Sequence, residues 1–276
     1  MVRLIIFTDL DGTLLNQEDY DYRPAIPILN QLNKQQIPVI PVTSKTRSEV
    51  EGLRQQIGLS DPFIVENGSG IFIPQSSSNC WKVVETSQIN QYHLHCLGCS
   101  YTKAREGLNQ IAADLGEKLE GFGDFSPEKI QFLTLLPPEE AKLAKQREFT
   151  EPFITPKQID AKIVEDTAAK YGFRVLLGDR FSHLIDAQAG KGKAVRWLMS
   201  NYQLLAENEE VITVGLGNSP NDLEMLEVVD IPIVIASARG VHPGLVSRGW
   251  QVASAPGSQG WAKAVTTICE QYLQYL

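Results

Sequence analysis

Apolar residues fall along this chain in two textures. Short unbroken runs rich in β-branched residues occur at Val2–Ile6, Ile37–Val42, Phe63–Val65, Val211–Leu216 and Ile231–Ile235. Such runs suit strands buried on both faces, as in a parallel sheet. Between them, apolar positions recur at helical spacing: Ile28, Leu29 and Leu32 behind Pro24, a helix opening within 43–50, another from Gly190 through Leu198, and an amphipathic terminal helix from Gly260 to Leu276. Strands alternating with helices predict an α/β fold, a doubly wound (Rossmann-like) parallel sheet. Pro38 and Pro41 put the second run near a sheet edge, and Trp250–Ala253 reads as a short edge strand.

The middle of the chain has its own texture. Ala104, Leu108, Ile111, Ala112 and Leu115 predict a helix over Tyr101–Leu119; further helices start near Ile130–Leu133 and Pro137–Ala141 and run over Pro156–Tyr171. Phe173–Leu177 and Phe181–Ile185 then read as a hairpin turning at Asp179–Arg180. Helices mixed with antiparallel strands indicate an α+β cap domain inserted over 84–187, with a core formed by 1–83 and 188–276. Asn67-Gly68 between two apolar runs is a hairpin signal, and Glu66–Gly68 reads equally well as that turn or as a substrate contact.

Composition narrows the classes. With 276 residues, 43% hydrophobic and 21% charged, the chain is an ordinary globular sequence. A net charge of −8 gives nucleic acid or an anionic membrane no overall attraction. No run approaches the ~20 apolar residues of a membrane span, and the opening residues enter a strand directly, so a cytoplasmic enzyme is expected. Four cysteines are too few for a disulfide framework. His93, His95, Cys96 and Cys99 invite a zinc reading, but a second ligand pair at suitable spacing is missing, and the approach to a cap helix is the expectation.

The chemistry concentrates at strand ends. Asp9 and Asp11 follow the first run, where open α/β sheets hold ligands. Their like charges call for a cation or a proton. A bound Mg²⁺ and an electrophilic phosphorus answer that need, one carboxylate attacking while the other handles the leaving-group proton. After the second run, Thr43-Ser44-Lys45 and a helix with Glu49 in a capping position bring a hydroxyl, a lysine and free amides together as an anion site.

D-L-D-G-T at 9–13 resembles the first signature of the haloacid dehalogenase-like phosphohydrolases, and T-S-K-T at 43–46, K-G-K-A-V at 191–195 and G-N-S-P-N-D at 217–222 resemble the others in order. The resemblance implies that Asp9 becomes a phospho-aspartate and Asp11 acts as general acid/base. It implies further that Thr43, Ser44, Lys45 and Lys191 bind phosphate, and that Asp9, Asp11, Asn218 and Asp222 hold Mg²⁺. Asn218 stands where the family usually has Asp, so the site loses a full negative charge. That departure admits an enzyme with weakened metal affinity or a catalytically silent relative that binds a phosphorylated sugar.

Further segments, P-V-T-S-K-T-R-S-E-V, F-I-V-E-N-G-S-G-I, R-E-F-T-E-P-F, R-F-S-H-L and A-P-G-S-Q-G-W, resemble the mannosyl-3-phosphoglycerate phosphatase family. The implied substrate is a glycosyl-3-phosphoglycerate, with a broader sugar-phosphate phosphatase as the alternative. The implied cap loop presents Arg147, Glu148, Thr150, Glu151 and Pro152 to sugar and glycerate, with His183 at the cap–core seam. Lys45, Arg47, Arg147 and Arg180 are the cations available to a carboxylate, and Glu148, Glu151 and Asn67 the polar groups available to a sugar. The same loop reads otherwise as an exposed turn with a buried Phe pair.

Overall fold

The computed structural model describes residues 2–77, 79–177, 181–203 and 210–272. The chain opens with strand β1 (Val2–Thr8), helix α1 (Ile26–Lys34), β2 (Val39–Pro41) and α2 (Arg47–Ile57). Four strands follow, β3 (Phe63–Val65), β4 (Gly70–Pro74), β5 (Ser87–Ile89) and β6 (Tyr92–Cys96). The central third holds α3 (Tyr101–Leu115), α4 (Pro127–Thr134), α5 (Pro138–Ala144), β7 (Glu151–Phe153), α6 (Ala161–Lys170), β8 (Phe173–Leu177) and β9 (Ser182–Asp186). The chain then returns through α7 (Lys191–Ser200), β10 (Glu210–Gly217), α8 (Leu223–Leu226), β11 (Ile231–Val234), α9 (Pro243–Val246), β12 (Gln251–Val252) and α10 (Gly257–Tyr272).

The parallel sheet runs β12-β11-β10-β1-β2. β1 sits inside it, and its alternate residues feed two cores: Leu4 and Ile6 pack with Leu29 and Trp261, Ile5 and Phe7 with Val195, Leu198 and Leu226. Helices on both faces explain why the run is apolar without alternation. The proline-bearing β2 lies at one edge and β12 at the other, as expected. A parallel bridge from Val42 to Ile64 carries the sheet on towards β3.

β3 and β4 form the hairpin signalled by Asn67-Gly68, and β6 and β5 extend it to the order β3-β4-β6-β5. Phe63 stacks on Phe72 at 5.1 Å, and Tyr92 meets both edge-on. The boundary expected at 84 therefore falls before β6, which pairs with β4, and β5, which pairs with β6. The remainder of the insertion is α+β: an antiparallel sheet β7-β9-β8 under α3 and α6, and α4 with α5 over their own small cluster of Phe122, Phe125, Ile130 and Leu136.

Several boundaries shift for local reasons. α3 ends at Leu115 because Gly116 takes a left-handed φ of 65°, and α6 begins only after Asp160, whose carboxylate caps the Lys162 amide at 2.8 Å. The His/Cys group does not converge. His95 stacks on Trp197 at 3.8 Å and pairs with the Glu85 carbonyl, Cys96 faces Gly98, and Cys99 is buried beside the Phe149 carbonyl. Among the described residues no group of three or more His, Cys, Asp or Glu is arranged to hold a metal ion. None of their helices is long and apolar enough to cross a membrane.

Candidate active site

The site is built where β1, β2 and β10 end. Asp9 directly follows β1, and its amide donates to the Leu216 carbonyl of β10 at 2.9 Å. Lys191 opens α7, and its Nζ lies 2.7 Å from Asp9 Oδ1 and 2.6 Å from Asp222 Oδ1. The lysine and Asp222 side chains are wholly buried, and Asp9 nearly so. Burial and then the charge of Asp222 push the Asp9 carboxyl up to about 7, against the pull of Lys191. Burial also opposes the charge on Lys191, but Asp222 and Asp9 outweigh it and hold the ammonium protonated well above its usual range.

Beside this triad Lys45 Nζ sits 3.0 Å from Asp11 and 3.6 Å from Glu49. Burial works against its charge too, and Asp11 and Glu49 more than offset that, raising its pKa. The helix here starts two residues later than a Ser44 cap would place it. Thr46 caps α2 in a full capping box with Glu49, leaving Ser44 and Lys45 to line the cavity. Thr43 is buried and turns its hydroxyl to the Lys45 amide at 3.1 Å, so it shapes the loop.

The metal-ligand expectation divides. Asp222 Oδ1 is taken by Lys191, and Oδ2 by the amides of Asn218 and Ser219 and the Ser219 hydroxyl. Asp222 is thus engaged at both oxygens and orders the loop. The Asp11 carboxylate is likewise held by Lys45. Asn218 Nδ2 donates to the Asp11 carbonyl at 3.0 Å, and turning that amide over sets two neutral oxygens side by side; Asp9 Oδ2, lining the same cavity, accepts among the described residues a 3.5 Å contact from the Thr13 hydroxyl. One carboxylate oxygen, one carbonyl and one amide oxygen are hard donors that fit Mg²⁺, which commonly keeps several waters.

The expected substrate contacts also sort themselves. His183 lines the cavity, and its Nδ1 is buried without a hydrogen-bond partner; burial, then Arg147 and Lys191, push its pKa down to about 3, so the ring is neutral. Arg147 reaches the cavity wall, yet its nitrogens are engaged by the Ser44 carbonyl, the Thr150 hydroxyl and Glu66. Thr150 is buried against Glu66, and Glu151 is buried under the cap, accepting from Arg105 and the Gly123 amide. Glu148 pairs with Arg47 at 2.7 Å across the cap–core seam, outside the cavity. Glu148, Thr150 and Glu151, with Arg47 and the buried Asn67, are therefore supports set back from the cavity, whereas Arg147 forms part of its wall. Arg180 lies outside the described residues.

Other cavity residues carried no recognised signal. Gln17 and Tyr20 come from a polar stretch after the first strand, and Phe122, Thr134, Leu136 and Phe181 from the cap. Asn221 also lines the cavity, and its place inside G-N-S-P-N-D was the available clue.

Comparison with known proteins agrees with this geometry. Residues 6–240 match the family model described as haloacid dehalogenase-like hydrolase. The glucosyl-3-phosphoglycerate/mannosyl-3-phosphoglycerate phosphatase of Persephonella marina is 42% identical over 270 residues, covering 97% of this chain and 98% of that protein. Its namesake from Methanococcoides burtonii is 38% identical, with 96% of each chain covered. The mannosyl-3-phosphoglycerate phosphatase of Pyrococcus furiosus is 35% identical over 87% of this chain and 93% of that protein. Among solved structures, a HAD subclass IIB sugar phosphatase superposes with a TM-score of 0.67 at 15% identity, covering 96% of this chain and 98% of its own. The sucrose-phosphatase of Synechocystis sp. PCC6803, solved with sucrose and phosphate, gives 0.62 at 16%, covering 99% and 100%.

Proposed function

The chain belongs to the haloacid dehalogenase-like hydrolases, and from that premise we propose that it is a phosphatase acting on a glycosyl-3-phosphoglycerate, releasing phosphate and a glycosylglycerate. The observation that carries the chemistry is the buried Lys191 ammonium clamped between Asp9 and Asp222. It holds one oxygen of Asp9 and leaves the other directed at a cavity that also receives Asp11, Ser44 and Lys45. The names of the relatives at 35–42% identity over most of the chain support the substrate.

In this reading the Asp9 carboxylate attacks phosphorus, the ester P–O bond breaks, and Asp11 gives its proton to the departing glycerate oxygen. Water then attacks the phosphorus of the aspartyl phosphate. Asp11 takes the water proton, the P–O bond to Asp9 breaks, and inorganic phosphate leaves with the enzyme restored. Lys191 stays protonated throughout and fixes the nucleophile's orientation, while Lys45 and Ser44 meet the phosphoryl oxygens. Asp9, the Asp11 carbonyl and Asn218 would hold Mg²⁺, which would neutralise phosphoryl charge when bound.

The test is phosphate release with Mg²⁺ from mannosyl-3-phosphoglycerate, glucosyl-3-phosphoglycerate, 3-phosphoglycerate and hexose 6-phosphates, with Asp9→Asn as control. A preference of about a hundredfold for a glycosylated substrate, worth roughly 2.7 kcal/mol at the transition state, is expected. Comparable rates across the panel would instead indicate a generalist sugar-phosphate phosphatase. No Asp9-dependent release would point to a phospho-sugar-binding protein.

A further inference from the structure

The corner between β3 and β4 holds three consecutive residues in the left-handed region, Glu66 (φ 48°), Asn67 (φ 58°) and Gly68 (φ 88°). For Glu66 that conformation is costly, and a hairpin alone does not require a glutamate there. Its carboxylate is wholly buried. It accepts three successive cap amides, Glu148 at 2.7 Å, Phe149 at 3.2 Å and Thr150 at 2.8 Å, and the Thr150 hydroxyl at 2.7 Å. Arg147 Nε completes the ring at 3.2 Å. One core carboxylate thus gathers the root of β7, the strand that carries Pro152 and lies beside His183 of β9, both on the cavity wall.

The same corner braces the catalytic floor. The Glu66 amide donates to the Lys45 carbonyl at 3.0 Å, and the Asn67 amide to the Thr43 carbonyl at 2.9 Å. Asn67 Oδ1 accepts from Asn221 of the 217–222 loop at 3.3 Å. A Cβ on Gly68 would stand 2.2 Å from the Gly190 carbonyl, so this turn packs directly on the start of α7. Arg147 closes the circuit by donating to the Ser44 carbonyl at 3.1 Å.

We propose that Glu66 is a positioning residue that docks the cap loop 147–150 onto the phosphate-binding loop, so that the cap wall reading the sugar is set in register with the catalytic floor. This inference rests on the phosphatase reading above. Because the contacts of 66–68 with the floor are made by backbone amides and the Asn67 side chain, removing the Glu66 carboxylate releases the cap and leaves those contacts in place. The loss therefore falls on substrates whose distal part needs the cap.

The experiment compares Glu66→Gln with wild type on the preferred glycosylated substrate and on p-nitrophenyl phosphate, which asks only for the floor. The expected result is a fall of about thirtyfold or more in kcat/KM for the glycosylated substrate, chiefly through KM, with less than about a threefold change for the aryl phosphate. Amide hydrogen exchange at 148–150 should accelerate while that of β1 and β10 stays as in wild type. Equal losses on both substrates in step with a lowered Tm would make Glu66 merely structural and overturn the proposal, as would unchanged exchange. Thr150→Val, which removes the hydroxyl bridging Glu66 and Arg147, should shift both readouts in the same direction and covers the case in which Glu66→Gln does not fold. Exchange at 148–150 reports on the clamp even if wild type prefers another phosphate ester, so failure of the clamp and failure of the substrate assignment are separable.

Discussion

Replacing Lys191 by methionine keeps the length of the side chain and removes its charge. Two buried carboxylates then lose their shared cation, which now lies 2.7 Å from Asp9 and 2.6 Å from Asp222. Asp222 keeps the two amides and the hydroxyl on Oδ2, so the stranded group is Asp9. Breaking a buried ion pair by removing one partner costs about 3–5 kcal/mol, and that is the destabilisation expected in urea unfolding at pH 7 with chelator present. The cost should also grow with pH. With Lys191 in place Asp9 titrates at about 7, and without that opposing charge it titrates higher. Between pH 7 and 8 the native variant then holds a proton that the unfolded chain has released. Its stability falls as pH rises, by up to about 1.4 kcal/mol per unit more than wild type. Adding Asp9→Asn to Lys191→Met should recover part of the loss, since the stranded carboxylate is then gone. A cost under about 1 kcal/mol, or no recovery in the double variant, would refute the claim that these three groups form a dry, mutually dependent centre.

Two further outcomes are expected. His183 is pushed down to about 3 in the fold from an ordinary value of 6.5, so below 6.5 the unfolded chain binds a proton that the native ring does not. Stability should therefore fall on acidification, by about 2 kcal/mol from this residue at pH 5, and His183→Asn should show a correspondingly flatter urea midpoint between pH 7.5 and 5; identical profiles would remove the assignment of a dry neutral ring. Asn218→Asp restores a charge beside Asp9 and should lower the Mg²⁺ concentration for half-maximal activity by about tenfold, with a matching change in calorimetric Mg²⁺ binding; an unchanged requirement would mean that residue 218 is not a ligand.

What the chain discloses before folding depends on how local the signal is. Four of the five apolar runs became the parallel strands because burial on both faces leaves no room for polar alternation, while Phe63–Val65 joined the antiparallel sheet; Asp9, Ser44 and Lys191 each sit at an element boundary that their own neighbours specify. Asp222 and Arg147 mark where a local signal stops. Their residue types suit ligands, but which atoms remain available depends on partners such as Ser219, Thr150 and Glu66, which the fold alone brings near. The R-E-F-T-E-P-F loop is not an exposed turn: its acids face Arg47 and Arg105, while Arg147 and Pro152 reach the cavity wall. The boundary expected at 84 precedes β5 and β6, which are too short and too polar to declare that β6 pairs with β4 and β5 with β6. Tyr20 and Phe181 reach the cavity through chain geometry that no spacing rule encodes.

The position of β1 carries a consequence for how the molecule is made. Its two neighbours are β2, reached almost at once, and β10, drawn from the far end of the chain. During synthesis the ribosome therefore releases an apolar strand with one satisfied edge and one bare edge, and the whole cap must emerge before the second edge can be covered. Asp9 waits through the same interval without the lysine that will neutralise it. The long insertion thus sets a clock on assembly: until β10 docks there is no catalytic pocket to protect, and the nascent amino-terminal half is the form most in need of a chaperone.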